Sequence, residues 1–372
     1  MKKIQNIIKK LGTPLYIYSK KEINKNCKLI KNFIAYSNIQ IHYAMMCNNN
    51  LEVLKTIKSL GLSIQINSIY ELSLAQKIGF KKEQISFTST GLNIENLKIL
   101  IKEKILINLD STEEVEKYCK LNTKGKFGIR IKMKEDIILP KGHTNSPKDS
   151  DIGIDEKDFN KIKYIAKKYK CKINGIHGYL ASNILISSPF LESSNYLIKC
   201  AKQFPDLEYI NFGSGFGVPS NSKEKQFNFK KIGNHYTKLT NELSNYFNRN
   251  IQLKIEPGRS LMATAGILYA EVTNIKKINK KLQIAINVGF AEFARPRIYN
   301  SYHEIKPIIK RNKIKTYDIR ANTVLQSDFL GKNRKLSEIK EKDILAIKNT
   351  GAYGKVMSSG FPGKNLPKEI LI

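Results

Sequence analysis

Two glycine-rich segments follow strand-like runs and are suited to holding an anion. The segment 213–217 reads GSGFG, and the segment 256–259 reads EPGR. Small residues in such loops let backbone N–H groups converge on a phosphate, and phosphates commonly bind after the last two strands of a parallel barrel. One glycine cluster is most often just a tight turn. Two of them, after neighbouring strands, predict a ligand that carries a phosphate.

The elements that position these segments form a regular alternation. Between residues 38 and 260, short β-rich runs alternate with lysine-rich stretches whose apolar spacing suits amphipathic helices, which is typical of repeated βα units. Eight runs predict an α/β fold, a (β/α)8 TIM barrel, with functional residues just after the strands. The runs are IQIHYAM, LSIQIN, QISFTS, ILINLD, KFGIRIK, KINGIHGY, LEYINFG and IQLKIEPG.

After Ala263 strand-like runs dominate and predict a separate, mostly antiparallel β domain. The early run PLYIYSK is a further candidate strand of that domain. The predicted division is a barrel domain at 28–265 and a β domain made of 1–27 with 266–372. A polar stretch from Lys134 to Asp151 predicts a mobile loop. The later strand-like runs are GILYAEVTNIKK, LQIAINVGF, IRANTVLQSD, DILAIKNTG and EILI.

The composition limits the classes of function. The net charge of +32 suggests a nucleic-acid binder, but the positive charge is nearly all lysine and is spread along the chain, which is typical of a solvated surface. We therefore expect no nucleic-acid partner. No apolar run approaches a membrane span and no signal peptide is evident, so we expect a cytoplasmic protein without a membrane partner. The five scattered cysteines predict free thiols, with neither a disulfide framework nor a metal site.

Six motifs occur in a fixed order: Tyr43-Ala44-Met45-Met46-Cys47-Asn48, Gly175-Ile176-His177, Gly213-Ser214-Gly215-Phe216-Gly217, Glu256-Pro257-Gly258-Arg259-Ser260, Arg295-Pro296 and Gly351-Ala352-Tyr353-Gly354. This order resembles the fold-type III decarboxylases that use pyridoxal phosphate (PLP), the diaminopimelate and ornithine decarboxylase family, and the diaminopimelate branch more closely. The resemblance runs from about Thr13 to the carboxyl end. It implies an alanine racemase-like barrel with a C-terminal β barrel, PLP as cofactor, and α-decarboxylation of a diamino or dicarboxylic amino acid. It also implies a head-to-tail homodimer with composite active sites.

The resemblance also implies roles for single residues. Glu256 would face the pyridine nitrogen and keep it protonated, so that the ring acts as an electron sink. The alternative for Glu256 is a surface carboxylate before a turn, and the alternative for Arg295 is an exposed loop arginine. The implied cofactor contacts are His177, Ser182, Gly213, Ser214, Gly215, Glu256, Gly258, Arg259 and Tyr353. The implied substrate contacts are Arg259, Arg295, Tyr299 and Tyr353, with arginine binding a carboxylate by paired hydrogen bonds.

Three single positions and one motif depart from the family pattern. Met46 occupies the slot of the lysine that forms the Schiff base with PLP, and a thioether can neither form an imine nor shuttle a proton. Gln65 stands at an acidic position, and Tyr179 stands where a histidine would stack on the cofactor. The interface motif Cys-Glu-Ser-Gly-Asp reads VLQSD here, so only Asp328 is kept. The catalytic positions to examine are therefore Met46, Tyr179, Glu256 and Asp328.

These departures leave two functions open. The first is a decarboxylase homologue with weak or no activity as it stands, and the second is a non-catalytic pseudoenzyme that binds or regulates. An engineered trapping substitution would explain Met46 alone, whereas natural divergence explains all the changes. A related PLP racemase fits less well, because Glu256 favours a protonated ring.

Strand alternation predicts an unusual lysine inside the barrel. Residues two apart on a strand share a face, so Lys254 points inward if Glu256 does. A buried lysine has a lowered pKa, and its neutral amine is then available for imine formation near the vacant slot on the adjoining strand. The alternatives are a pairing of Lys254 with an inward carboxylate, or a register that turns it toward a helix.

Overall fold

The computed structural model describes residues 2–140, 147 and 150–372, so part of the loop predicted from Lys134 to Asp151 lies outside the described residues. The chain divides into two compact units. The barrel unit comprises Cys27–Val218 and Gln226–Gly258. The β unit comprises Met1–Asn26, Pro219–Lys225 and Arg259–Ile372. The domain boundaries expected from the sequence stay a prediction.

The barrel unit is a closed ring of parallel strands in chain order, with the last strand paired to the first. The predicted (β/α)8 barrel is confirmed. With strands numbered through both units, its members are β2 (Ile39–Ala44), β3 (Ser63–Ile66), β4 (Ile85–Thr88), β5 (Leu106–Leu109), β6 (Lys126–Arg130), β7 (Lys172–His177), β8 (Tyr209–Asn211) and β9 (Gln252–Ile255).

Amphipathic helices follow the barrel strands. The first of them, at Leu51–Ser59, buries Val53, Leu54 and Ile57, and Asn50 caps it by accepting hydrogen bonds from two backbone N–H groups of its first turn. The caps of several later helices are likewise Asn or Ser side chains. These helices are α3 (Leu51–Ser59), α4 (Ile69–Ile78), α5 (Ile94–Lys102), α6 (Thr112–Leu121), α7 (Phe159–Lys168), α8 (Ser188–Ala201) and α9 (Phe229–Phe247).

The inner face of the barrel is polar, whereas barrel cores are usually filled by branched aliphatic side chains. Tyr209 fills much of the space beside Gly128 and Gly175, where an added Cβ would collide with its ring. The Tyr209 hydroxyl donates a hydrogen bond to Oδ1 of Asn108 at 2.6 Å. Strand alternation and register bring a set of buried polar side chains to this face. They include His42, Gln65, Ser86, Thr88, Asn108, His177, Asn211 and Lys254.

The β unit contains an eight-stranded sheet in which all but two of the strand pairs are antiparallel, as predicted. The early run PLYIYSK supplies its first strand. The strands are β1 (Leu15–Tyr18), β10 (Gly266–Ile278), β11 (Lys281–Ile286), β12 (Ile305–Pro307), β13 (Ile314–Ala321), β14 (Phe329–Ser337), β15 (Ile344–Ile347) and β16 (Lys368–Leu371). The helices are α1 (Lys2–Leu11), α2 (Lys20–Asn32), whose carboxyl-terminal part extends into the barrel unit, α10 (Arg259–Met262) and α11 (Arg295–Tyr299).

One stretch of the β unit differs from the sequence-based expectation. The run IRANTVLQSD was expected to be a strand, but β13 ends at Ala321 and a turn occupies most of the run. The following strand, β14, lies at the end of the main strand path, and few of its residues are buried. Because an outer strand need not bury alternate residues, its lysine-rich sequence gave no strand signal.

Two further findings concern the described residues as a whole. All five cysteines are buried free thiols, as their spacing predicted. Within residues 2–140, 147 and 150–372, no helix has the length and apolar character needed to cross a membrane.

Candidate functional site

Glu256 follows β9 directly and places its carboxylate inside the barrel. Its Oε1 accepts a hydrogen bond from Nδ2 of Asn211 at 2.7 Å, and its Oε2 lies 3.0 Å from Nε2 of His177. Burial by itself raises the pKa of this carboxyl, but the charge and hydrogen bond of His177, with help from His42 and Asn211, lower it to about 2. The residue is 8% exposed, so Glu256 is a buried, ionised group and not a surface carboxylate.

Two neighbouring strands hold Glu256 in place. His177 ends β7 and Asn211 ends β8, and the two are paired in the register of the barrel. Because an ionised carboxylate only accepts hydrogen bonds, His177 donates through Nε2. Its Nδ1 is buried and has no partner among the described residues. Asn211 also fixes the next loop, because its Oδ1 accepts the backbone N–H of Gly213 at 2.9 Å.

The glycines after β8 are required by a close approach of two loops. Gly213 and Gly215 have φ values of +60° and +120°, which disfavour other residues. A Cβ at Gly213 would collide with the carbonyl oxygen of Gly178, and one at Gly215 with that of Ala181. The backbone N–H of Ile184 donates to the carbonyl of Gly215 at 3.0 Å. The loops after β7 and β8 are thus joined by their backbones.

Three other predicted cofactor contacts lie at the same end of the barrel unit. Ser182 is part of the loop after β7, and Ser214 lies between the two glycines with positive φ and accepts the N–H of Gly215. A Cβ at Gly258 would lie 3.1 Å from the Cβ of Cys47. Gly258 therefore allows the loop after β9 to approach the turn that follows β2.

Met46 is the middle residue of a single 3-10 turn directly after β2. Its neighbours Met45 and Cys47 are fully buried, and the Cys47 thiol donates to the hydroxyl of Tyr43 at 3.2 Å. Met46 itself is 47% exposed. Its thioether offers no amine, so no covalent link to a carbonyl can form at this side chain.

Two other positions that depart from the family pattern have neighbours of their own. Gln65 is buried on β3, and its Nε2 donates to the carbonyl oxygen of Ile66 at 3.1 Å. Tyr179 follows β7, and its ring lies 5.6 Å from the guanidinium carbon of Arg130. An aromatic face is kept at this position, but it carries a phenol in place of an imidazole.

Lys254 points into the barrel, as strand alternation predicted. Its Nζ lies 4.4 Å from the centre of the Tyr209 ring, and burial lowers its pKa to about 8 against the attraction of Glu256. The register places Lys254 beside Gln40 on β2, six positions before Met46. At about 3.3 Å per residue, this separation argues against Lys254 as a substitute for the missing anchor.

In the β unit, two arginines surround one tyrosine. The guanidinium carbons of Arg259 and Arg295 lie 4.9 Å and 5.9 Å from the ring centre of Tyr353, and Arg295 lies 5.3 Å from that of Tyr299. Arg295 is buried on α11, so it is not an exposed loop arginine. Burial and the positive charge of Arg259 lower the pKa of Arg295 to about 10, and no described carboxylate opposes them. Such a cluster is suited to an anion.

Tyr353, at the centre of this cluster, and the nearby His303 have unusual properties. Tyr353 has a φ of +55°, a strained conformation that is often kept for function. The ring of His303 packs edge-on against Phe293 at 4.6 Å, and its Nδ1 donates to the carbonyl of Lys348 at 2.9 Å. Burial lowers the pKa of His303 to about 3, so this ring is neutral.

The carboxylate of Asp328 forms hydrogen bonds with other residues of the β unit. Its two carboxylate oxygens accept the backbone N–H of Phe290 at 3.0 and 3.1 Å, and Oδ2 also accepts the hydroxyl of Thr323 at 3.3 Å. The carboxylate thus joins two loops of the β unit. Val324, which replaces the first residue of the family's interface motif, is 88% exposed.

The (β/α)8 barrel unit and the separate, mostly antiparallel β unit define the fold class, and comparison with known proteins gives the family. A family model described as pyridoxal-dependent decarboxylase, pyridoxal binding domain, matches residues 20–263. The chain belongs to this family, whose cofactor is PLP. The resemblance, the fold class and the cofactor expected from the motifs are confirmed.

Within the family, the chain is similar to diaminopimelate decarboxylases. It is 30% identical to that of Aquifex aeolicus over 385 residues, which cover 99% of this chain and 89% of the relative. The identity is 28% with that of Methanothermobacter thermautotrophicus, over 97% of this chain and 87% of the relative. The solved diaminopimelate decarboxylase of Helicobacter pylori, complexed with L-lysine, superposes with a TM-score of 0.90 at 26% identity, over 99% of this chain and 94% of the other.

The residues of the barrel unit fit PLP in part. A buried, ionised carboxylate at Glu256 suits a protonated ring nitrogen, and the loop at Gly213 and Gly215 leaves no room for a Cβ, while one at Gly258 would be tightly packed. Met46 does not fit the covalent anchor of the cofactor. Asn211, His42 and Arg130 were missed by sequence reasoning, although counting back two residues from Gly213 or Ala44 along the strands would have found the first two.

Proposed function

We propose that this chain is a diaminopimelate decarboxylase homologue that binds PLP reversibly, without a covalent link, and has weak or no turnover. The observation that carries the proposal is the ionised carboxylate of Glu256, which His177 and Asn211 hold at the end of β9. A group with this charge and position suits the ring nitrogen of PLP. When bound, PLP supplies an electron sink for the electron pair left by departing CO2.

The remaining site residues have proposed roles in binding. Backbone groups of the loops at Gly213, Gly215 and Gly258, with Ser182 and Ser214, would hold the phosphate. Arg259 and Tyr353 would assist, and Arg295 with Tyr299 would bind a substrate carboxylate. The buried guanidinium of Arg295, which no described carboxylate opposes, supports this assignment.

The binding experiment uses the purified protein and PLP. Calorimetry should detect PLP binding, and borohydride treatment followed by mass spectrometry should leave no pyridoxyl group on the chain. Absence of binding at millimolar PLP would overturn the cofactor proposal for this chain. A borohydride-stable adduct would overturn only the non-covalent part of it.

Turnover is tested with Met46→Lys, because this substitution restores an amine where the family has one. We expect release of CO2 from meso-diaminopimelate by Met46→Lys and little or none by the unchanged chain. Met46→Gln is the matched control, since it adds a polar group without an amine. If Met46→Lys binds PLP but gives no turnover, the alternative function, a non-catalytic binding or regulatory protein, is favoured.

We also propose that the protein is a homodimer with composite active sites and that it works in the cytoplasm. The family resemblance and the exposed Val324 beside Asp328 support the dimer. Five free thiols suit a reducing compartment. Light scattering over a wide concentration range tests the dimer, and a monomer at all concentrations would contradict it.

A further inference from the structure

Lys254 and Glu256 occupy successive inward positions at the end of one barrel strand. Lys254 lies over the ring of Tyr209, and Glu256 reaches the ends of the neighbouring strands β7 and β8. Two residues along a strand span roughly 7 Å. The ammonium and the carboxylate therefore share the inside of the barrel, with the ammonium one layer farther from the carboxyl end of the strands.

Glu256 attracts the ammonium of Lys254 but does not contact it. The two carboxylate oxygens of Glu256 are instead in hydrogen bonds with His177 and Asn211. Lys254 is 5% exposed, so solvent screens its charge weakly. A buried cation that no carboxylate contacts acts on the titratable groups around it.

Several titratable groups face this pair from the surrounding strands. His42 on β2 is fully buried, and its ring interacts with the backbone of Gln40 on the same strand. Burial and the charge of Lys254 lower the pKa of His42 to about 3. Other titratable groups that interact with Lys254 or Glu256 are His177, Glu208, Tyr209 and Arg130.

We propose that Lys254 is a positioning residue that lowers the proton affinity of Glu256 and His42 from the layer beneath them, and so weakens the protonation of a ring nitrogen that faces Glu256. The proposal rests on the proposed function, in which Glu256 faces the ring nitrogen of PLP. Lys254 acts through Glu256 and does not touch the reacting atoms. A weaker hold on the ring proton makes a weaker electron sink.

The size of this effect follows from Coulomb's law. Two unit charges about 7 Å apart, at an effective dielectric constant of about 20, change a proton affinity by between one and two pH units. The same charge in water at that distance would change it by less than about half a pH unit. The effect of Lys254 is therefore measurable because the residue is buried.

The first test uses the PLP-free protein. The chain has five histidines, so 13C-labelled histidine gives few NMR signals, and His42→Gln assigns the signal of His42. In Lys254→Met, which removes the charge but fills the space, we expect His42 to take up its proton at least about one pH unit higher than in the unchanged chain. Lys254→Gln, a second neutral variant, should give the same shift if Lys254→Met does not fold.

Two controls separate charge from structure. Lys254→Arg keeps the positive charge and should leave the His42 titration unchanged. Lys126→Met removes a half-exposed lysine of the same barrel, which pairs with Glu208, and should also leave it unchanged. If His42 titrates alike in the unchanged chain, Lys254→Met and Lys254→Gln, the proposal is wrong.

The second test reads the ring nitrogen directly. With PLP labelled with 15N at the ring, we expect the nitrogen signal of Lys254→Met to move toward the protonated form, and Lys254→Arg to resemble the unchanged chain. Equal signals in all three would overturn the link to Glu256. If no variant binds PLP, the proposed function fails, while the His42 titration still decides whether Lys254 exerts its charge.

Discussion

Two buried charged residues, one in each unit, differ in whether their neighbours compensate the charge. In the barrel unit, the anion Glu256 is satisfied by its own neighbours His177 and Asn211. In the β unit, the cation Arg295 lies among another arginine and two tyrosine rings, and no described carboxylate acts on it. Because an unpaired buried charge is costly, the first arrangement is complete by itself, whereas the second is complementary to an anion from outside.

The largest expected effect follows from removing the anion of the barrel. Glu256→Leu leaves His177 and Asn211 without their acceptor and Lys254 without an opposing charge, so we expect a loss of about 3–5 kcal/mol in the free energy of unfolding. Denaturant unfolding at pH 7 measures it. Glu256→Gln keeps a hydrogen-bond acceptor for one of the two partners, so its free energy of unfolding should fall less than that of Glu256→Leu. If Glu256→Leu is as stable as the unchanged chain, the hydrogen bonds of Glu256 with His177 and Asn211 do not stabilise the fold.

The pH dependence of the free energy of unfolding also reports how much the ionised Glu256 stabilises the fold. The folded-state pKa of Glu256 is about 2, below its unfolded value, so its contribution is present above about pH 4.5 and lost as the pH falls toward 2. Comparison of acid unfolding in the unchanged chain and Glu256→Gln isolates this part.

The next effect has the opposite sign, because Lys254 is a barrel charge without an ion pair of its own. Its pKa in the folded state is about 8, below the unfolded value near 10.5, and this difference destabilises the folded chain by about 3 kcal/mol at pH 7. We expect Lys254→Met to recover part of that amount. In the unchanged chain, the free energy of unfolding should rise with pH between about 8 and 10.5, where the unfolded state binds more protons. If the free energy of unfolding of Lys254→Met rises by the same amount over this pH range, the lowered pKa does not belong to Lys254.

A smaller effect concerns how rigidly the barrel loops are joined. Gly213→Ala adds a Cβ at a φ of +60° against the carbonyl oxygen of Gly178, whereas Gly91→Ala adds one at +69° in open space. Both substitutions carry the cost of a left-handed residue, about 1–2 kcal/mol. We expect Gly213→Ala to lose at least about 1 kcal/mol more than Gly91→Ala in thermal or denaturant unfolding. Equal losses would mean that the two loops are free to separate.

The smallest loss of stability is expected in the β unit. Arg295→Met removes a buried cation on which no described carboxylate acts, so the free energy of unfolding should not fall and should rise by part of the cost of burying that charge. Arg311→Met is the matched contrast, since Arg311 binds the buried Asp343 through two nitrogens and its loss should destabilise more. Affinity for a dicarboxylic ligand should fall about tenfold or more in Arg295→Met alone. A large loss of stability in Arg295→Met would show that the cluster is structural.

The sequence was informative where one physical requirement dominates. The barrel strands were predicted because each must bury both faces, and Lys254 was placed inside because two-residue alternation is strict in a strand. The strand β14 was missed because an outer strand can carry lysines on both faces. The turn after β13 was missed because Val324 and Leu325 have strong β propensity in isolation.

For the candidate site, the motifs located the glycine loops and Glu256, but not the side chains that complete them. The roles of Asn211 and His42 depend on which side chains meet across the barrel, and this requires the register between strands that are distant in the chain. The neutral state of His303 likewise follows from burial against Phe293, which lies ten residues away. Two-residue spacing shows that such side chains face the inside of the barrel, but it does not show which side chains they meet there.

The pairing of β1 has a consequence for synthesis on the ribosome. This strand, which includes Leu15, lies between β10 and β16, and β16 contains the last residues of the sheet, so the N–H of Ile372 reaches back to the carbonyl of Tyr18. The strand β1 therefore remains without one of its two partners until β16 has been translated, and it is the strand of the β unit that stays available longest to bind a chaperone.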